Sequence, residues 1–501
     1  MKTKAKLEPL ERIVERSGVA PRIEALLPVG ARRRQLRVRT LLIGMLLVAC
    51  EGRPAHLRRV HEALLWLPET EQRRLGVLAE WKSGPHELTY RQVERTFSLV
   101  AGALAKTEPD GEPCEALSEI IDALLEASVE LCGEPETSSY AVDWTDLESF
   151  SCPPPKGSER CADPEAAWGH RRGNSPGERD EVFFGYYLQV VTAVKEECGP
   201  AVAELVRRIQ IGSCDVDPPP ALVEVLERMA AAGVEIGDVL ADSGYAHRVA
   251  ETWALPVRRL GARLVQDLHP HDRGPKGTHM GATLAGGALY CPATPSALLE
   301  LGPLARAATE AETAAHDQRA AELRGHRLAQ IAGYDADGYH RVGCPAARGK
   351  LRCPLRPESM ALEHTRPEVI SPPEHPPTCC AQRTITVPPE VNAKTAQKHD
   401  YPSPEHRRSY ARRSAAERAY ATVKDPATND ISTGWCRLTG LAPVALFVAS
   451  VFVARNLRVA DAFAARKAED ERRAAAGMPP KRRRRRRRTT GDLIGTASAP
   501  P

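Results

Sequence analysis

Tyr410, Arg413, Glu417 and Lys424 stand in the stretch SYARRSAAERAYATVKD. At about 100° per residue, these four side chains fall within roughly 60° of one another on a helix. A stripe meant for a core would be apolar. This one sets a carboxylate between two cations and a phenol, a combination suited to a metal ion and to the phosphates of a polyanion.

A single carboxylate cannot hold such an ion well, and the chain offers two more. Asp143 lies in SSYAVDWTDLES, at the end of a short alternating run, Tyr140 to Thr145, that reads as a strand. Asp242 lies in VEIGDVLADSGY, where an apolar run stops at a Gly-containing turn. Both are placed at predicted strand ends, where α/β folds gather their ligand sites. Asp146 and, more weakly, Glu148 compete with Asp143. Two Asp and one Glu form a hard oxygen set for Mg²⁺ or Mn²⁺, and a pair of such ions supports phosphodiester cleavage and transfer.

With these residues in place, the chain resembles the DDE transposases of bacterial insertion sequences, in the branch carrying the Tyr-Arg-Glu-Lys pattern. The phrases ADSGY, FFGYYLQVVTAV and FVARNLR are also similar to that branch. The resemblance spans roughly residues 136–465. It departs at Trp144, where many relatives have Gly after the first Asp. The resemblance implies an α/β fold: a ribonuclease H-like mixed sheet with flanking helices, an N-terminal helical domain, and an insertion domain before the catalytic Glu helix. It implies that Asp143, Asp242 and Glu417 hold two Mg²⁺ or Mn²⁺ ions. Arg413 and Lys424 would hold DNA phosphates, and Tyr410 would hydrogen-bond to one. It further implies cleavage at element ends, strand transfer into double-stranded target DNA, a hairpin intermediate, and a homodimer that pairs two ends. A catalytically silent DNA-binding relative and a structure-selective nuclease remain as alternative readings.

The 501 residues allow several domains, and 42 prolines mean many breaks. The net charge of +4 hides a local excess: Lys481–Arg488 is an unbroken run of cations, suited to nonspecific contact with nucleic acid. The apolar runs Leu41 to Cys50 and Leu441 to Ala454 are shorter than the roughly 20 residues of a membrane span, so both read as buried helices. A charged N-terminus without a secretory signal, and thirteen scattered cysteines, fit a reducing cytoplasm and association with the nucleoid.

Five segments follow. Residues 1–135 read as a helical DNA-binding and dimerisation region. It includes a helix over 36–50 and another from Thr89, where Thr89 and Gln92 make a capping box and Val93, Phe97, Val100 and Leu104 repeat at helical spacing. Arg91 and Arg95 share another face of that helix and are DNA-contact candidates. Residues 136–268 form the first part of the core. Strands are expected at 140–145, 184–194, within 202–211, at 236–240 and at 262–268, with a helix at 219–232 and a Pro/Gly-rich connection over 152–179. Residues 269–400 read as an insertion that holds the stretch HPHDRGPKGTH, a charged helix near 309–330 and a Pro/Cys-rich section. Residues 401–465 return to core helices, and 466–501 form a basic disordered tail.

Cys344, Cys353, Cys379 and Cys380 could bind zinc, but their spacing lacks a C-x-x-C knuckle. Ordinary packing is the competing reading. Cys291 and His399 are conceivable extra ligands. His269, His271 and His279 are expected to meet DNA or solvent rather than metal.

Overall fold

A computed structural model of the chain describes residues 7–481 apart from 29–34, 82–83, 106–114, 134–135, 156–159, 172–179, 306, 334, 336–337, 433 and 480. Six strands form the central sheet: β1 (Ser139–Glu148), β2 (Ala167–Arg171), β3 (Glu181–Val194), β4 (Val206–Ser213), β5 (Asp238–Ala241) and β6 (Arg263–Gln266). β1 runs antiparallel to β3, from Ser139 opposite Val194 to Glu148 opposite Gly185. The far edge of β3 is taken by β4 along Tyr186–Thr192 and by β2 along Glu181–Gly185, both antiparallel. β5 lies parallel to β1 on its other side, and β6 parallel to β5. Parallel neighbours need crossovers, and the helices Pro218–Ala231 and Ala254–Arg259 lie on the connections that supply them. The chain is therefore a mixed α/β protein.

Period-two alternation divides β1 between two cores. Tyr140 and Val142 pack with Leu222, Leu226, Trp253 and Val257 from the two crossover helices. Ala141 and Leu147 face the opposite core. That core also takes Ile13, Ile23, Leu46, Phe97 and Leu125 from the N-terminal helices, and Phe447 and Phe452 from the helix Leu441–Ala475. Layers of helix thus cover both faces of the sheet.

The helix Leu441–Ala475 is buried along its first half and exposed beyond it. Its length and composition would suit a membrane span, yet 78% of its most apolar window is buried inside the protein, as in a core helix. Asn456 binds edge strand β4 at both the amide (2.9 Å) and the carbonyl (2.8 Å) of Val206. The neighbouring Arg455 donates to the Glu204 carbonyl at 2.7 Å.

Several expectations need correction. β1 runs on to Glu148, so Asp143 stands mid-strand rather than at its end. Parallel pairing with β5 covers only Ser139–Ala141, which leaves Asp143 just past it. β2 occupies part of the connection expected to be a loop. The third antiparallel strand starts inside the expected range, at Val206, and runs two residues past it to Ser213. Residues 269–400 contain two three-stranded antiparallel sheets, Pro275–His279 with Ala282–Ala285 and Ala288–Tyr290, and Ala329–Ala332 with His340–Gly343 and Thr384–Val387. Helix continues to Ala475 through residues expected to be disordered, because good helix formers such as Ala, Arg and Glu dominate there. Of the Lys481–Arg488 run, residues 482–488 lie outside the described residues, as does the rest of the tail.

Candidate active site

The side chain of Asp143 emerges on the sheet face that carries Ala141 and Leu147, by alternation. The helix Ser414–Val423 lies on the same face. Its buried positions Ala415, Ala416 and Ala419 are small and allow a close approach. The Tyr420 hydroxyl reaches 2.8 Å from the carbonyls of both Asp143 and Leu188, which belong to neighbouring strands. This fixes Glu417, one turn earlier, above β1.

The Tyr-Arg-Glu-Lys stripe is not one continuous helix. Ser403 accepts the His406 amide at 3.0 Å and, with Pro404 at the first position, starts a helix that ends at Tyr410. A tight 3₁₀ turn, Ala411–Arg413, precedes the Glu417 helix, and Lys424 caps that helix. The turn sends Arg412 inward. Its guanidinium pairs with the fully buried Asp238 at 2.8 Å and donates to the Lys195 carbonyl at 3.1 Å. Asp238 also pairs with Lys398 at 2.7 Å and Arg263 at 3.0 Å.

Arg413 turns the other way. It pairs with Asp143 at 3.4 Å and with Glu417, and its guanidinium carbon lies 5.6 Å from the centre of the Tyr410 ring. Asp143 is 16% exposed and Arg413 14%, while Glu417 is 46% exposed, so the cluster is closed on the sheet side and open towards the helix. Asp242 directly follows β5. Its Oδ1 accepts the amides of Gly244 at 2.9 Å and Tyr245 at 3.4 Å, which aims the carboxylate over the strand end.

Electrostatics separates Asp143 from its competitor. Burial raises the Asp143 carboxyl to about 7. The Asp242 carboxylate adds to this, Arg413 and the Trp144 amide oppose it, and Glu417 contributes a further small push upward. Asp146 goes the other way, below its usual value. Burial opposes that shift, but Arg171 at 2.7 Å and Lys424 at 3.3 Å outweigh it. Asp146 is a neutralised structural acid, whereas Asp143 feels the charges of Asp242 and Glu417, although the three carboxylates do not all lie within 4.8 Å of one another. Such a donor set fits a hard divalent cation, which would relieve the repulsion among them.

Trp144 fits beside this cluster without displacing Asp143. Its ring meets Tyr245 edge-on, with centroids 4.5 Å apart. A Cβ built at Gly244 would lie 2.5 Å from Trp144 Cη2 and 3.1 Å from Asp242 Oδ1. The bulky residue beside the first acid therefore needs the glycine beside the second.

Not every expected residue joins the cluster. The Lys424 ammonium donates to Thr145 Oγ1 at 2.7 Å and pairs with Asp146. Arg91 and Arg95 are exposed on the helix Tyr90–Leu104, and neither has a bond or ion pair to the three acids. Tyr410 does belong to it, half-buried, with His406 stacked on its ring at 5.7 Å. Asp267 was not singled out from the sequence. It directly follows β6 and accepts from Tyr401 at 2.7 Å, and its charge bears on Tyr410. Its signal was available, since the apolar run ending at Gln266 delivers it as the earlier run delivers Asp242.

The histidines divide. The His269 ring packs at a tilt against His247, with centroids 4.0 Å apart, and against His271 at 4.9 Å, while His279 lies in a strand and contacts the Thr386 carbonyl at 2.9 Å. Among the described residues, His247, His269 and Asp272 are the one trio whose ligand atoms all lie within 4.8 Å of one another. Lys394 already neutralises Asp272 at 2.8 Å. His399 pairs with Glu197 at 2.9 Å.

No protein-family model matches the chain, and neither curated proteins nor solved structures gave a match.

Proposed function

We propose that this chain is a DDE transposase with a ribonuclease H-like core, acting on double-stranded DNA in the cytoplasm. The observation that carries the reading is the convergence of Asp143, Asp242 and Glu417 around Arg413. They come from a central strand, from the end of its parallel neighbour, and from a helix laid on the same sheet. The strand order supports it. An antiparallel run β1, β3, β4 extends to one side of β1, and parallel β5 and β6 extend to the other, as a ribonuclease H-like core with β2 added would have them.

Two Mg²⁺ or Mn²⁺ ions held by these carboxylates would activate the attacking hydroxyl and stabilise the leaving oxygen. Asp143 must shed its proton to take part, and its raised pKa means that cation binding and proton release go together. Arg413 would hold a DNA phosphate near the cut once the cation takes over its carboxylate partners. Tyr410 presents its phenol beside Arg413 for a phosphate oxygen. Lys424, seated on Asp146, would bear on the phosphate backbone one turn further along. Arg91, Arg95 and the C-terminal Arg run would add phosphate contacts away from the acids. A homodimer would bring two element ends together.

The test is cleavage and strand transfer on labelled DNA carrying the element ends, with Mg²⁺ or Mn²⁺, comparing wild type with Glu417→Gln. Joined products from wild type, reduced at least about a hundredfold in the variant, support the reading. Cutting without joining would make the protein a nuclease. Binding without cutting under both metals would make it a silent relative. Hairpin-ended DNA on the gel would establish the hairpin step.

A further inference from the structure

The inserted region, residues 269–400, is held by three small apolar clusters rather than one large core. Its two small sheets share a core of Ala282, Leu289, Val342, Ile385 and Val387, and beside it Cys291, Cys344 and Cys353 pack with Ala346, Leu351 and Val369, with Ala293, Ala347 and Leu355 partly buried around them. Cores this small usually need a covalent or metal staple. None of these cysteines is in a disulfide.

The cysteines come from both sheets. Cys291 directly follows the strand Ala288–Tyr290 of one sheet, and Cys344 directly follows His340–Gly343 of the other. Cys353 lies on the next loop, and Cys379 and Cys380 lie on the short helix Thr378–Ala381 leading into Thr384–Val387. Residues up to 89 positions apart in sequence thus meet at one junction.

Three of the five are followed by proline: Cys291-Pro292, Cys344-Pro345 and Cys353-Pro354. Two of these make the same turn. The Thr294 amide closes on the Cys291 carbonyl at 3.0 Å, and the Arg356 amide on the Cys353 carbonyl at 2.9 Å. In each, the amide two residues after the cysteine faces its sulfur and favours the thiolate, Ala293 for Cys291 and Leu355 for Cys353. Proline pre-sets such a turn and leaves the following N–H free for the sulfur.

We propose that Cys291, Cys344, Cys353 and Cys380 form a tetrathiolate zinc site that staples the two sheets of the inserted region. A soft, four-sulfur set selects Zn²⁺ in tetrahedral geometry. Without a cation the arrangement is costly to ionise. Cys291, Cys344 and Cys353 are buried, and thiolates held together there repel one another without a counter-charge. Zinc supplies the missing positive charge and displaces one proton from each sulfur it binds. No three of the sulfurs lie within 4.8 Å of one another, so the ion draws the turns inward as it binds. Cys379 is the more buried of the adjacent pair and is a member of the adjoining core with Leu289, Ile385 and Val387, against which Cys380 packs only in part. This site is independent of the three acids and of the activity proposed for them.

The experiment uses the full chain, purified under reducing conditions without chelator. Elemental analysis is expected to give about one zinc per chain. A mercurial reagent is expected to release it as thiols are blocked. Cys353→Ser and Cys291→Ser are expected to lose the zinc, and Asp143→Asn to keep it. Because the serine variants could misfold, wild type is also loaded with Co²⁺. Intense thiolate-to-metal absorption with tetrahedral visible bands supports the site. Wild type without zinc, and without those bands after Co²⁺ loading, overturns it. So does zinc that persists in both serine variants.

Discussion

The Tyr420 hydroxyl sits 2.8 Å from the Asp143 carbonyl, joining the helix of the third acid to the strand of the first. The same oxygen lies 2.8 Å from the Leu188 carbonyl. One phenol therefore sets the height of Glu417 over the sheet.

Tyr420→Phe keeps the ring and removes only that link. The expected cost is about 1–2 kcal/mol, read as a lower urea midpoint with an unchanged slope. DNA cleavage is expected to fall further than stability predicts, because Glu417 is no longer fixed. An unchanged midpoint would remove the anchoring role.

Asp143 carries a pH signature. Its carboxyl titrates at about 7 in the folded chain, because of burial and the Asp242 charge, against about 3.9 when unfolded. Between those values the folded state binds the extra proton, so stability falls as pH rises through the window. Asp143→Asn abolishes this. With chelator present, the variant should gain on wild type from about pH 4 to about pH 7 and then hold its lead. A gap between the two melting curves that ignores pH would count against the crowded-carboxylate site.

Arg412 predicts the opposite slope. Burial works against the Asp238 carboxylate, but Lys398, Arg412 and Arg263 hold its pKa below the usual value. The stabilisation is present above about pH 4, the unfolded value, and is lost as pH falls through the depressed folded one. Arg412→Met should cost about 3 kcal/mol at neutral pH, and less in acid. Equal losses at both pH values, measured by chemical denaturation, would argue for packing alone.

Gly244→Ala tests the link between Trp144 and the second acid. The added methyl meets the Trp144 ring and Asp242 Oδ1 together. A cost of about 1–3 kcal/mol is expected, along with weaker stabilisation by Mg²⁺ in a melting assay. Combining it with Trp144→Leu should recover part of both losses. Strict additivity of the two substitutions would show that the residues act separately.

Asp143, Asp242 and the Glu417 helix were legible because local pattern carried them: a period-two run, an apolar run ending in Asp-Ser-Gly, and fixed helical offsets. The fate of Arg412 was not. It looks like one more charge in a basic stretch, and its partner Asp238 is 174 positions away. The strands of the inserted region were hidden for another reason. Pro275–His279 and Ala329–Ala332 are short and mostly exposed, so neither gives an alternating apolar signal. The break at Ala411–Arg413 is likewise invisible to a helical wheel, because both sides of it have helical composition.

The helix Leu441–Ala475 gives the protein a definite order of assembly. Phe447 and Phe452 complete the core that the helices from Leu7 to Cys132 line, yet they come far later in the chain. A ribosome emitting this chain finishes the N-terminal helices hundreds of residues before their central packing partner exists. Their apolar faces must stay covered by other means until that partner has been made. A chain that stops before Leu441 would therefore have its main core open.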